Sequence, residues 1–260
     1  MTVLPFFQVD AFAEQAFSGN PAAVMPLDHW LDDALMQNIA AENNLSETAF
    51  TIPSEDEAAD YELRWFTPTV EVDLCGHATL AAAHILMRGN SINFSTRSGV
   101  LGVKRGDGRL WLDLPAYPVE DGDEPGLIEA LGLGPTPCFL SRGGNGAAIV
   151  LLADEAAVRG VAPDFGALRT IDRLVIVTAP GETSAVVSRV FAAFHGINED
   201  PVTGSAHAAL VPFWSKRLGR DRFDAFQASK RGGRMECLHK GDRVLLGGQA
   251  VTVIEGHFQL

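Results

Sequence analysis

The sequence has few cysteines and no long apolar run, and both absences restrict what the protein can be. Its 260 residues include only three cysteines, Cys75, Cys138 and Cys237, which are widely separated and odd in number. This usage fits reduced thiols, and the chain has no CxxC pair of the kind that binds a metal. No apolar run approaches the roughly 18 residues that a membrane span requires, so we expect no insertion into a bilayer.

Positive charge is also scarce. The chain has 20 lysines and arginines against 33 aspartates and glutamates, which gives a formal net charge of -13. A chain with this balance repels nucleic acid and anionic lipid, so neither is an expected partner, although a small positive pocket remains compatible with it. No basic segment precedes the first apolar residues, which disfavours a signal peptide and indicates a cytoplasmic protein.

The apolar residues are sufficient for a large core. They make up 47% of the chain, enough to fold without disulfides as one large domain or two of ordinary size. Periodicity predicts mixed helix and sheet in two halves, 1–115 and 116–249, with a strand at 250–260 that could complete the first. Within them we expect a helix at 30–42 capped by Asp28, a Pro-, Gly- and Asp-rich linker at 115–125, and a strand at 185–194.

An internal repeat supports this division into halves. Three residues recur at the same spacing 128 positions later, namely Phe66, Glu71 and Gly76 in the first half and Phe194, Glu199 and Gly204 in the second. Each glycine opens a run of small residues that predicts a tightly packed helix entered from a turn. A helix start carries unpaired N–H groups and about half a positive charge, so two such helices could hold a carboxylate-bearing ligand. Ordinary core packing explains the same pattern and stays open.

Two further residues are candidates on their type and position alone. Asn20 lies in a Gly-Asn-Pro turn, where it could face a ligand or simply form the turn. Glu47 begins a strand with small and apolar residues after it. A carboxylate held among apolar neighbours suits proton transfer near neutral pH, but a solvated charge at a strand end would give the same sequence.

Several motifs together resemble one known family. They are FSGNPAAV, NLSETAF, LRWFTPTVEVDLCGHATLAAA and GINEDPVTGSAHAAL, followed by QASKRGG. The chain is similar over nearly its whole length to the phenazine-biosynthesis PhzF-like isomerases, which share the diaminopimelate-epimerase fold. The resemblance implies an α+β protein of two pseudo-symmetric domains, each a mixed, barrel-like sheet around a central helix, with the active site in the cleft between them. It also implies a homodimer.

The resemblance assigns roles to individual residues. It makes Glu47 the proton-shuttling base and places His77, Asp200 and Ser205 against the substrate. Catalytic roles therefore fall on Glu47, His77 and Asp200, and substrate binding on Asn20, Cys75, Gly76, Gly204 and Ser205. The implied reaction is an isomerisation of a small carboxylate-bearing metabolite that needs no cofactor. Taken singly, His77 could cap a helix, and an aspartate before proline is usually a turn former.

Two rival functions remain open. Epimerases of this fold use a cysteine on each side of the substrate carbon. Cys75 occupies the first such position but the loop from Asp200 to Ser205 has none, which disfavours a two-thiol racemase. An amino- or hydroxy-acid epimerase could still use Glu47 and Asp200, and a non-catalytic binding protein could retain the fold. His84 and His207 show no metal-binding spacing to His77, so no metal is predicted.

Overall fold

A computed structural model describes residues 2–143 and 146–260 and divides the chain into two compact units. The first unit is Met1–Asp113 with Gly247–Leu260, and the second is Leu114–Leu246. The boundaries expected from the sequence, 115/116 and 249/250, lie a few residues from these divisions. Among the described residues, no helix has the length and apolar character needed to cross a membrane.

The secondary structure alternates strands and helices throughout. The strands are β1 Val3–Ala11, β2 Asn20–Pro26, β3 Glu47–Pro53, β4 Tyr61–Phe66, β5 Glu71–Val72, β6 Ser91–Thr96, β7 Gly99–Gly106, β8 Arg109–Pro115, β9 Val119–Asp121, β10 Cys138–Ser141, β11 Ala147–Leu151, β12 Leu174–Pro180, β13 Val186–Ala192, β14 Ile197–Asp200, β15 Arg222–Gln227, β16 Gly233–Lys240, β17 Arg243–Gly248 and β18 Ala250–Gln259. The helices are α1 Asp33–Asn43, α2 Gly76–Leu86, α3 Leu127–Ala130, α4 Glu155–Gly160, α5 Phe165–Leu168 and α6 Gly204–Leu218.

The first unit is a mixed sheet in the order β18, β1, β2, β3, β4, β6, β7, β8. Neighbours are antiparallel except for two parallel pairs, β2 with β3 and β4 with β6, while the short β5 also pairs with β4. Parallel neighbours need a long crossover, and here α1 and α2 supply the two crossovers.

The second unit repeats six of these pairings in the same order, from β18–β1 to β6–β7. Its order is β9, β10, β11, β12, β13, β15, β16, and its parallel pairs are β11 with β12 and β13 with β15. The short β14 pairs with β13 as β5 pairs with β4. The crossovers are α4 with α5, and then α6. The predicted α+β class with two pseudo-symmetric halves is therefore confirmed.

Each unit buries one crossover helix against its sheet. The helix α2 packs on β1, β2, β3 and β18, and α6 packs on β9, β11 and β16. Small residues make this possible, because alanines at consecutive positions let strands approach the helix from several sides. Nine of the eleven residues of α2 are buried, including its first two, Gly76 and His77. The helix starts are consequently fixed by the core.

The repeated glutamates hold the turn that enters each buried helix. Glu71 accepts two hydrogen bonds from Arg64, at 2.7 Å from Nε and 2.8 Å from Nη2. Glu199 accepts the same pair from Arg189, at 2.7 Å and 3.0 Å. A bidentate guanidinium–carboxylate pair fixes direction as well as distance, so each short strand β5 and β14 is locked against its neighbour.

Some local expectations were wrong. The helix predicted at 30–42 begins at Asp33, and its cap is Asp32, whose carboxylate accepts from the Ala34 amide at 2.9 Å, rather than Asp28. Residues 115–125 are not only a linker, because they contain β9, a three-residue strand too short to show alternation. The strand predicted at 185–194 ends at Ala192 and is followed by a 3-10 turn, after which Gly196, at φ 87°, lets the chain reverse into β14.

At Gly19 an added side chain would clash with the backbone of a neighbouring strand. Its φ is 65°, and a Cβ there would lie 2.2 Å from the Ala11 carbonyl oxygen and 2.9 Å from the Ala13 Cβ. We expect Gly19→Ala to lower the free energy of unfolding by at least about 2 kcal/mol, from strain and a backbone clash. Urea unfolding followed by circular dichroism measures this change.

The matched control for this prediction is Gly89→Ala. Gly89 is exposed and a Cβ there meets nothing within 4 Å, so its free energy of unfolding should change by less than about 0.5 kcal/mol. Equal unfolding midpoints for Gly19→Ala and Gly89→Ala would contradict the close packing of this turn.

Candidate active site

In the first unit, the candidate site residues lie together at one edge of the sheet, where strands β2 and β3 begin. The strands β2 and β3 are parallel, with Ala22 opposite Glu47, so Asn20 at the start of β2 and Glu47 at the start of β3 lie at the same edge. The helix α2 packs on both strands and begins at this edge, which brings His77 into the group. Three segments distant in sequence thus supply the group.

The closest approach within this group joins Glu47 and His77. Glu47 Oε2 lies 3.0 Å from His77 Nε2, and both residues are buried. Among the described residues, neither of these two atoms has a hydrogen-bond partner of good geometry. A buried acid and a buried imidazole at contact distance without an aligned hydrogen bond are costly in a folded protein, which is characteristic of a site built for a ligand.

The Nδ1 edge of the imidazole ring contacts other protein atoms. His77 Nδ1 lies 3.2 Å from Asn20 Nδ2 and 3.5 Å from Cys75 Sγ. The hydroxyl of Ser46 donates to Asn20 Oδ1 at 2.9 Å. The ring is therefore fixed on the Nδ1 side, while its Nε2 side faces Glu47.

Charge within the group shifts the titration of both neighbours of Glu47. Burial opposes protonation of His77, but the sulfur of Cys75 and the carboxylate of Glu47 together raise the pKa of His77 well above its ordinary value. Burial, reinforced by the Glu47 carboxylate, raises the pKa of the Cys75 thiol to about 11. The amide nitrogen of Asn20 can only donate, so Nδ1 of His77 accepts and a proton on the neutral ring lies on Nε2, facing Glu47.

These residues also contain a possible metal-ligand set. One ligand atom each from Glu47, Cys75 and His77 can be chosen so that all lie within 4.8 Å of one another. Thiolate, imidazole and carboxylate are ligands that Zn²⁺ accepts. Cys75 approaches Nδ1 of the ring, however, whereas Glu47 approaches Nε2. A single ion could bind only one of the two ring nitrogens, so the residue at the other nitrogen would have to move to reach that ion.

The second unit places its predicted residues at the start of α6. Asp200 ends β14 and is buried, Gly204 opens α6, and Ser205 follows in the first turn, half-buried. Thr203, the residue before the helix, donates its hydroxyl to Asp200 Oδ2 at 2.5 Å. Gln227, from the end of β15, also bonds to this segment, so a buried network fixes the position of Asp200.

The predicted residues accordingly fall into two groups. The first unit brings together Asn20, Glu47, Cys75, Gly76 and His77, and the second contains Asp200, Gly204 and Ser205. Their roles, and the expected cleft, stay predictions from the resemblance.

Sequence reasoning missed three residues that hold these groups in place. They are Ser46, which binds Asn20, and Thr203 and Gln227, which bind the Asp200 segment. All three lie inside motifs quoted from the sequence, in NLSETAF, EDPVTG and QASK respectively. Each is a polar residue within a motif that also looked functional, which was the available signal. That signal does not identify a hydrogen-bond partner, because partners such as Gln227 and Thr203 lie 24 residues apart in the sequence.

Comparison with known proteins shows the family and the fold. A sequence model of the family described as "Phenazine biosynthesis-like protein" matches residues 9–256. An uncharacterized isomerase of Pseudomonas aeruginosa is 52% identical over 99% of both chains. A crystal structure of a phenazine biosynthesis PhzF family protein from Enterococcus faecalis aligns with a TM-score of 0.91 at 44% identity, covering 100% of both chains. A hydroxyproline epimerase from Agrobacterium vitis shares the fold alone, with a TM-score of 0.67 at 14% identity over 98% of this chain and 92% of the other.

One buried histidine of the second unit makes stability depend on pH. His207 Nδ1 lies 2.8 Å from the Thr203 carbonyl, which can only accept, so Nδ1 carries the proton. Its Nε2 is buried with no partner in the described part of the chain. Burial, only partly offset by the bond to Thr203, lowers the pKa of His207 from 6.5 to about 4. The folded protein therefore keeps this ring neutral.

The sign of the effect follows from linkage. Between pH 6.5 and 4 the unfolded chain binds a proton that the folded chain does not, so the stabilisation is complete above pH 6.5 and is lost as pH falls toward 4. The loss is on the order of 3 kcal/mol. We expect His207→Asn, which can still donate to Thr203, to flatten the dependence of the urea midpoint on pH between pH 7 and 5. The exposed His29→Asn should keep the wild-type dependence, and equal slopes in all three proteins would refute this role of His207.

Proposed function

Because the chain belongs to the phenazine biosynthesis-like protein family, we propose that it is an isomerase that moves a proton on a small carboxylate-bearing metabolite without a cofactor. One observation carries the proposal. The buried Glu47 carboxylate lies 3.0 Å from the His77 ring at the start of α2, with neither facing atom engaged in a hydrogen bond to the described residues. Such a pair can hold, accept and return a proton in a place shielded from water.

The start of α2 suits the carboxylate of a substrate. The first amides of an α-helix have no partner within the helix and carry partial positive charge. The amides of Gly76 and His77 are therefore proposed to bind the carboxylate, and the Nε2–H of His77 would donate a further hydrogen bond to it. Asn20 is proposed to orient the ring by donating to Nδ1. From the resemblance, we propose that Gly204 and Ser205 bind the substrate in the same way.

The proposed reaction balances with one carboxylate. Glu47 takes a proton from a carbon next to the substrate carboxylate or in an allylic position, so that the C–H bond breaks and an O–H bond forms. The electron pair shifts the double bond along the skeleton, and Glu47 returns the proton to another carbon on the same face. His77 and Asp200 are proposed to stabilise the negative charge that develops between the two steps. No electron is gained or lost overall.

A second candidate is an epimerase of an amino or hydroxy acid. The Cys75 thiol, 3.5 Å from His77, is the observation that favours it, since a thiolate there could act as a base. The pKa of about 11 keeps this thiol protonated at neutral pH, so isomerisation is placed first. Loss of substrate α-deuterium to solvent with inversion at a single centre, and without a shift of a double bond, would identify the epimerase.

The substitution Glu47→Gln tests the proposal directly. It keeps the size of the side chain and removes its capacity as a base, so the rate of proton exchange should fall by about 10²- to 10⁴-fold while ligand affinity changes little. The measurement is deuterium incorporation from heavy water into a panel of small unsaturated carboxylates, amino acids and hydroxy acids, read by mass spectrometry and NMR. Binding of the same compounds is measured by calorimetry.

The control removes a different carboxylate from the same unit. Glu42 is exposed on α1, and Glu42→Gln should retain the wild-type exchange rate. If Glu47→Gln exchanges a probe as fast as the wild type does, Glu47 is not the base. If wild-type protein binds probes but exchanges none of them, the chain is a binding protein that retained the fold.

A further inference from the structure

A buried glutamine dictates the direction of the hydrogen bonds around Asp200. Gln227 is fully buried at the end of β15, and its Oε1 accepts from the Thr203 backbone amide at 2.9 Å. A backbone N–H can only donate, so the amide group of Gln227 has one possible orientation. Its nitrogen must then donate both of its protons, to the Asp200 carbonyl at 2.7 Å and to Thr203 Oγ1 at 3.1 Å.

This orientation leaves the Thr203 hydroxyl a single choice. Its oxygen already accepts from Gln227, and its one proton goes to Asp200 Oδ2, 2.5 Å away. Thr203 is the N-cap residue of α6, yet its side chain makes no capping bond to that helix. Threonine at this position ordinarily caps the helix, so its hydroxyl is used for Asp200 instead.

We propose that Thr203 and Gln227 are positioning residues that hold Asp200 Oδ2 as a hydrogen-bond acceptor, so that any proton Asp200 carries during the reaction resides on Oδ1. This inference rests on the proposed function, because it concerns a residue that would stabilise charge in that reaction. The chain of donors runs in one direction, from the Gln227 nitrogen through the Thr203 oxygen to the carboxylate. It stabilises the ionised carboxylate and fixes the plane of its two oxygens.

The alternative is that the network only tethers the loop before α6. Ser229 offers the comparison, because its hydroxyl donates to the Pro201 carbonyl at 2.8 Å and so ties down the same loop through its backbone. A purely structural role would make losses at Thr203 and Ser229 equivalent. A positioning role would affect the reaction only when the hydroxyl bound to Asp200 is lost.

The kinetic test compares four variants of the protein. Thr203→Val removes the hydroxyl at nearly constant shape, Thr203→Ser retains it, Gln227→Glu replaces the donor nitrogen with an acceptor, and Ser229→Ala is the control. With any probe that the wild type exchanges, Thr203→Val and Gln227→Glu should lower kcat by at least about tenfold with KM changed less than about threefold. Thr203→Ser and Ser229→Ala should stay within about threefold of wild type.

A second measurement needs no substrate. In protein with ¹³C-labelled threonine, the Thr203 hydroxyl proton should exchange slowly enough to be observed by NMR, because it is buried in a short bond to a carboxylate. Its signal should move to lower chemical shift in Asp200→Asn, since an amide oxygen is a weaker acceptor than a carboxylate. This signal also remains measurable if Thr203→Val does not fold.

The outcomes separate this inference from the proposed function. If the wild type exchanges no probe, the proposed function fails, and the hydroxyl signal alone supports or refutes the direction of the network. If the wild type is active, the inference is overturned when Thr203→Ser is as impaired as Thr203→Val, when Ser229→Ala loses as much kcat, or when the hydroxyl signal is unaffected by Asp200→Asn.

Discussion

The bidentate arginine–glutamate pair is the interaction on which each unit depends. Arg64 on β4 and Arg189 on β13 lie on corresponding strands. Each donates two hydrogen bonds to the glutamate of the short strand that leads into the buried helix. Each arginine also reaches back to the preceding crossover, Arg64 to Asp33 at the start of α1 and Arg189 to the Val161 carbonyl just after α4. Removing one partner of such a partly buried pair typically costs several kcal/mol, because the other charge is left unpaired. The position of each helix start is thus set by charge as well as by packing.

On this common scaffold the two helix starts carry different chemistry. The residue before each helix offers its carbonyl to a side chain one turn later, Thr79 in α2 and His207 in α6. Two corresponding positions nevertheless differ, since Cys75 and His77 at the start of α2 are matched by two hydroxyl residues, Thr203 and Ser205, at the start of α6. A repeat that preserves geometry while its side chains diverge can assign proton transfer to one half and fixed hydrogen-bond donors to the other.

Features set by residues close together in the sequence were predicted, whereas features formed by residues far apart in the sequence were not. The equal spacing of Phe, Glu and Gly predicted both helix starts, and Glu47 was correctly placed at the beginning of a strand, because both signals are local. The arginine partners of the two glutamates were not predicted, because their spacing differs between the halves. Arg64 precedes its glutamate by 7 residues and Arg189 precedes its own by 10, since the 3-10 turn before β14 lengthens the second loop. The contact of Gln227 with the Asp200 segment was not predicted, because it depends on the parallel pairing of β13 with β15. Residues joined through sheet register leave no periodic signal.

The contact between Glu47 and His77 then has a consequence for the choice between reactions. A ring whose Nδ1 accepts from Asn20 directs its Nε2 toward the Glu47 carboxylate, so a proton on Nε2 lies between the ring and that acid. The amides that begin α2 favour the carboxylate of a ligand beside this pair. A substrate held by its carboxylate at this point offers its neighbouring carbons to one acid from one face. One base on one face returns the proton where it was removed or further along the same face, and this arrangement favours migration of a double bond over inversion of a centre.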